Sequence, residues 1–163
     1  RRQGQLCIRD RVTVDCGVSS AVEILEAKAL GIDTIVTDHH LPPDELPKSV
    51  ATVNPRVPLS KYPFLDLTGV GLAFKLVQGL AEALDWAWDT SLLELAALGT
   101  IADVGSLRDE NRYLVKAGIN RLKQTQSPGL LALCRKARLN PVHIDAEAIA
   151  FALSPRLNAA GAL

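Results

Sequence analysis

Residues Arg11 to His40 read RVTVDCGVSSAVEILEAKALGIDTIVTDHH, and this stretch decides the fold. Its opening, Arg11-Val12-Thr13-Val14-Asp15, is rich in β-branched side chains and predicts a buried strand that Cys16-Gly17 breaks. Ser19 or Ser20 supplies a cap for the next element, with Glu23 near capping-box distance. Val22, Leu25, Ala29 and Leu30 share one helical face. Gly31 is a natural helix stop, and Ile32 to Val36 is a second apolar run. Strand, helix and strand within about thirty residues is the spacing of a right-handed βαβ unit, so the sequence predicts the α/β class with a parallel sheet.

Polar residues end both runs. Asp15 closes the first, Asp38 closes the second, and His39 and His40 follow at once. Parallel strands point their carboxyl ends to one edge, where open α/β sheets hold their sites. Two acids and two imidazoles therefore converge. They offer oxygen and nitrogen donors suited to Mn²⁺, Fe²⁺ or Zn²⁺. Two helix-capping aspartates would explain the acids alone, but plain caps rarely come with histidines, which favours a metal site. Asp103, in Gly99-Thr100-Ile101-Ala102-Asp103-Val104, is a further acid between apolar residues. If buried it needs a partner or a metal; the alternative is a cap for the helix beginning near Asp109. The remaining histidine, His143, reads as a surface or packing residue.

Outward from this unit, residues 41–68 are rich in proline and read as surface connection around a short strand, Val50 to Val53. Gly69-Val70-Gly71 opens a helix to about Leu84, with Leu72, Leu76, Leu80 and Leu84 inward; the two glycines are read as close packing. Trp86 and Trp88 pack or flank a turn. Ser91 to Leu98 is a further helix, and helices fit 109–124 and 128–138 around Ser127-Pro128-Gly129. From Arg108 to Arg138 basic residues predominate, a solvated helical face or a phosphate-facing one. Asp145 to Leu153 forms a short helix, and Ser154 to Gly161 reads as a polar turn or linker in which Arg156 and Asn158 can hold an anion.

Composition bounds the function. The chain has 163 residues, 48% hydrophobic, enough for a packed core. Lys plus Arg and Asp plus Glu stand at 18 each, so net charge does not speak for nucleic acid. Cys7, Cys16 and Cys134 form no CxxC pair, which predicts reduced thiols, neither disulfides nor a structural zinc site, and a cytoplasmic protein. No run reaches membrane-spanning length and no signal peptide opens the chain. The absence of methionine and the Arg1-Arg2 start lead us to expect a piece of a longer protein.

Taken in order, Val14-Asp15-Cys16-Gly17, Thr37-Asp38-His39-His40, Gly99-Thr100-Ile101-Ala102-Asp103-Val104 and Ser154-Pro155-Arg156-Leu157-Asn158-Ala159-Ala160-Gly161 resemble the DHH phosphoesterase superfamily, and within it the single-strand-specific DNA exonucleases. The resemblance runs nearly end to end and includes Val53-Asn54-Pro55 and Gly69-Val70-Gly71-Leu72-Ala73-Phe74-Lys75. It implies a parallel-sheet DHH domain, incomplete at its N-terminus, with the α/β core over 1–107. A helical part over 108–163 would lead to a further, missing domain. It implies two Mn²⁺ or Mg²⁺ ions, with Asp15, Asp38, His39, His40 and Asp103 as metal ligands, the histidines near metal or scissile phosphate, and Arg156 and Asn158 toward substrate. The implied reaction is 5′-to-3′ hydrolysis of single-stranded DNA, with a single-strand-binding protein or a helicase as partner. Departures are the absent Asp-x-Asp-Gly motif of the family's first strand, Gly105-Ser106 in place of an apolar residue and proline, and Ala162 in place of arginine. Three alternatives stand beside this: a DHH enzyme of short oligonucleotides or cyclic dinucleotides, a non-catalytic DHH-like scaffold, and a plain nucleotide-binding α/β domain.

Overall fold

The structure, a computed structural model, describes residues 9–161, so Leu6, Cys7, Ile8 and Ala162 lie outside the described residues. The chain divides into two compact units, one ending at Leu65 and the other starting at Asp66.

The first unit is the βαβ expected. Strand β1 (Asp10–Val14) pairs in parallel with β2 (Asp33–Thr37), register Val12 to Ile35 and Val14 to Thr37. β2 pairs in parallel with β3 (Ala51–Val53), Thr37 to Val53, giving the order β1-β2-β3. Helix α1 (Ala21–Ala29) makes the crossover, and Gly31 at φ 74° turns the chain back to β2. Three expectations need correction. β1 is not buried: Val12 and Val14 are 51% and 50% exposed, because among the described residues β1 lies at the edge of the sheet. α1 buries Ile24 and Ala27, three apart, instead of Val22, Leu25, Ala29 and Leu30, and Ile24 joins Val18 and Val36 in a small core. Ser20 stands at the N-cap without a side-chain cap bond.

The second unit is helical: α2 (Gly69–Ala83), α3 (Leu92–Ala102), α4 (Asp109–Leu122) and α5 (Pro128–Lys136). A 3₁₀ turn at Pro141–His143 follows, with His143 exposed, then α6 (Ala146–Ala148), a π-turn (Ile149–Leu153) and α7 (Ser154–Gly161). Thr68 caps α2 by accepting from the Gly71 amide, and Ser127 caps α5 at Leu130, with Pro128 in the first turn where its missing N–H costs nothing. Leu98, Leu122, Leu130, Cys134, Ile144, Ile149 and Leu153 form the core. α3 and α4 touch closely at Gly118, where a Cβ would overlap the Leu93 carbonyl and Ala97. Buried Glu94 of α3 accepts the hydroxyl of Thr125, in the connection between α4 and α5, at 2.6 Å.

Here too the sequence misled in places. Of the expected inward leucines of α2, Leu72 is buried but Leu80 and Leu84 are half-exposed. α3 does not stop at Leu98 but runs to Ala102. Ser154 to Gly161 is no linker but a helix. Proline is tolerated in a first turn, and the π-turn just before it accommodates the carbonyl that the Pro155 ring cannot serve.

Candidate metal centre

Register builds the site. Val14 pairs with Thr37, so Asp15 and Asp38 leave the carboxyl ends of neighbouring strands side by side. Thr13 locks the two ends together. Its hydroxyl donates to the Cys16 carbonyl at 2.7 Å, and its own carbonyl accepts the Thr37 hydroxyl at 2.6 Å. Asp15 takes a left-handed φ of 64°, and Gly17 follows at φ 108° with no room for a Cβ beside the Thr13 hydroxyl. This sharp reversal brings the Val18 amide to the Asp38 carboxylate at 2.9 Å.

Asp38 is almost wholly buried, its side chain 2% exposed. Oδ2 accepts from Val18, while Oδ1 accepts from the amides of His39 (2.8 Å) and His40 (3.2 Å) and lies 2.7 Å from the His40 Nδ1. Burial alone would raise its pKa. The donors Val18, His40 and His39 outweigh that and hold the carboxyl below its ordinary value. An anionic Asp38 accepts a hydrogen bond from the His40 Nδ1–H, which leaves the lone pair on Nε2. The His39 Nε2 lies 3.0 Å from the Asp15 Oδ1, and the two imidazoles are tilted with centroids 4.5 Å apart.

Asp15, His39 and His40 thus bring three ligand atoms within 4.8 Å of one another. A first-row divalent ion about 2.0–2.2 Å from each donor holds donors no more than about 4.4 Å apart, and the Asp15–His39 pair at 3.0 Å falls within that reach. Imidazole nitrogen beside carboxylate oxygen favours Mn²⁺ over Mg²⁺. The residues fit a metal. Asp38 is not among the three. Its place behind His40 is that of a carboxylate orienting a metal-binding imidazole.

The remaining candidates belong to the second unit. Asp103 follows helix α3 at its C-cap and is exposed, so it is not the buried acid that would need a partner or a metal. Arg156 is exposed on α7 and its Nη1 donates to the Ala152 carbonyl at 2.6 Å; Asn158 is exposed on the same helix. One contributor escaped the sequence reading. Asn54 is buried, its Nδ2 donates to the His40 carbonyl at 2.9 Å, and its Oδ1 accepts the Arg56 amide at 2.8 Å. An asparagine between a strand and a proline was its only signal.

The chain matches the DHH family, N-terminal domain, over residues 8–100. It is 45% identical over 150 residues to the single-stranded-DNA-specific exonuclease RecJ of Bacillus subtilis (strain 168), covering 92% of this chain and 19% of that protein. With RecJ of Escherichia coli (strain K12) it shares 43% over 164 residues, 93% of this chain and 28% of that one. The chain therefore spans less than a third of the length of these curated relatives. Among solved structures, RecJ of Thermus thermophilus in complex with Mn²⁺ is similar at a TM-score of 0.81 and 37% identity, over 94% of this chain and 23% of that one. Exonuclease RecJ bound to manganese gives 0.82 at 37%, over 93% and 38%. The α/β fold with its parallel sheet is that of these structures.

Proposed function

We propose, from the premise that this chain belongs to the DHH family, that it carries part of a divalent-metal centre that hydrolyses phosphodiesters. We propose further that a protein of its relatives' length acts as a 5′-to-3′ exonuclease on single-stranded DNA. The convergence of Asp15, His39 and His40 at the carboxyl edge of the sheet carries this reading. A bound Mn²⁺ or Mg²⁺ supplies Lewis-acid polarisation of the phosphodiester and a nucleophilic water at neutral pH. Asp15 and His39 would hold the cation. His40, aimed by the buried Asp38, presents Nε2 to metal or scissile phosphate.

Two ions ask for more donors than three side chains give. Asp103 enters as a further oxygen ligand, and Arg156 and Asn158 as substrate contacts, on the resemblance of their motifs to the family. Arg156 would exchange its carbonyl contact for a phosphate oxygen, which its guanidinium fork suits. A single-strand-binding protein or helicase as partner, DNA repair and recombination as the setting, and the cytoplasm as the compartment belong to the same proposal. No helix among the described residues is long and apolar enough to cross a membrane.

The test is nucleotide release from a 5′-phosphorylated single strand in Mn²⁺, by a protein extended to its relatives' length. His39→Ala should lower release by about 100-fold or more, with an unchanged melting curve. Normal release would sink the assignment, and hydrolysis confined to dinucleotides or cyclic dinucleotides would move the enzyme to that neighbouring specificity.

A further inference from the structure

Gly79 lies in the interior of α2, where glycine is the least favourable residue after proline. Gly129 has open space in the first turn of α5, but the other interior helix glycines of this unit have a visible reason. A Cβ at Gly71 would press on Leu67, one at Gly99 on Val70, and one at Gly118 on Leu93 and Ala97. At Gly79 a Cβ would meet nothing within 4 Å, and helical backbone demands no glycine. What lies over Gly79 is a groove of about 440 Å³, walled by Lys75, Gln78, Glu82, Trp86 and Trp88. Trp88 is held edge-on against Phe74 at 5.2 Å between centroids, whereas Trp86 leaves 67% of its surface exposed. An unfilled helix glycine under a bare indole is the arrangement left when close approach is kept for another molecule.

Charge narrows what that molecule is. The Lys75 Nζ lies 3.1 Å from the Glu110 Oε1, which offsets the one cation of the groove. Glu82 remains on the wall, and Asp85 and Asp89 are exposed on the loop that carries the two indoles. Asp89 is bound to Ser91 and feels Arg121, so its pull on a ligand is reduced; the balance is still acidic. Phosphates would be repelled here. An exposed indole beside carboxylates favours a guanidinium or ammonium.

We propose that this groove docks an arginine- or lysine-bearing segment of a separate protein. The aliphatic stem of the cationic side chain crosses Gly79, its head stacks on the Trp86 ring, and Glu82 is the counter-ion. The two tryptophans are the only ones in the chain, so tryptophan emission reports on this groove.

The experiment titrates acetyl-tetraarginine amide into the 163-residue chain and follows tryptophan emission, with tetraglutamate and oligo-dT as comparison probes. We expect a saturable change with tetraarginine only. Gly79→Leu, which fills the groove with a better helix former, should weaken it about tenfold without lowering the melting temperature, and Gly79→Ala should weaken it less while raising that temperature. Glu82→Gln should weaken it and flatten its salt dependence. An unchanged titration in Gly79→Leu overturns the proposal, as does equal binding of tetraglutamate or oligo-dT. A protein of the relatives' length that refuses tetraarginine overturns it too, by giving the groove to a contact within the longer polypeptide.

Discussion

Asp38 draws the amides of Val18, His39 and His40 and the His40 ring onto two buried oxygens. A ligand kept for function alone can be removed without harm to the fold. His40 still fits: its side chain is 61% exposed, so His40→Ala should abolish hydrolysis and melt within about 1 kcal/mol of the parent. Asp38→Ala leaves donors in a buried place with nothing to meet, and should lose about 2–4 kcal/mol as well as activity. Melting curves of the two variants side by side decide it; parent-like melting of Asp38→Ala would show that these bonds carry no stability. Cys134 makes a second prediction. Burial pushes its thiol up, so the folded state resists forming the thiolate. Stability should be whole below the ordinary thiol value of about 8.5 and fall as pH rises past it, a slope that Cys134→Ala removes. At a pH of about 8, iodoacetamide followed by peptide mapping should find exposed Cys16 modified early and Cys134 only as the chain unfolds.

At the scale of elements, period and punctuation carried most of the reading. β1, α1 and β2 were legible because Cys16-Gly17 and Gly31 break the pattern cleanly, α2 because Gly69-Val70-Gly71 opens it, and α4 and α5 because Ser127-Pro128-Gly129 parts them. Two things were not. The apolar residues of α1 are spread round the axis among Glu23, Glu26 and Lys28, so the pattern could not say that Ile24 and Ala27 face inward. Thr100-Ile101 favours a strand locally, but the Thr68–Thr100 hydroxyl pair at 3.0 Å and the seating of Gly99 on Val70 keep that segment helical to Ala102. Tertiary contact overrides propensity there. The α3–α4 contact gives the prediction at this scale. Gly118→Ala drives a methyl into the Leu93 carbonyl and Ala97, and should cost about 1–3 kcal/mol by denaturant unfolding, more than its gain in helix propensity returns. A variant as stable as the parent would mean that the two helices separate freely.

For the molecule as a whole, the order of four motifs pointed to the family, and the family match over residues 8–100 bears that out. The sequence brought Asp15, Asp38, His39 and His40 together but could not rank them. In the structure the ligand atoms of Asp15, His39 and His40 gather, while Asp38 lies against the His40 ring nitrogen. That distinction depends on Asp15 turning left-handed and on the Val18 amide reaching Asp38, and neither is visible without coordinates. The same trio makes a metal prediction. Mn²⁺ at about a hundred times its dissociation constant should add about 2.7 kcal/mol to stability, a chelator should reverse it, and Asp15→Asn should abolish it. Calorimetry of the chain with and without Mn²⁺ tests this, and an unchanged Asp15→Asn shift would place the ion elsewhere.

The π-turn at Ile149–Leu153 has a consequence for chain length. Each residue of an α-helix advances about 100° round the axis, so losing one from α7 would swing everything beyond it to another face. The π-turn already holds one residue more than an α-turn needs. Deleting exposed Phe151 should therefore tighten it to ordinary helix and leave Arg156 and Asn158 on the bearing they now hold. The helix contains a built-in slip link: one residue can be gained or lost there while the segment that follows keeps its heading.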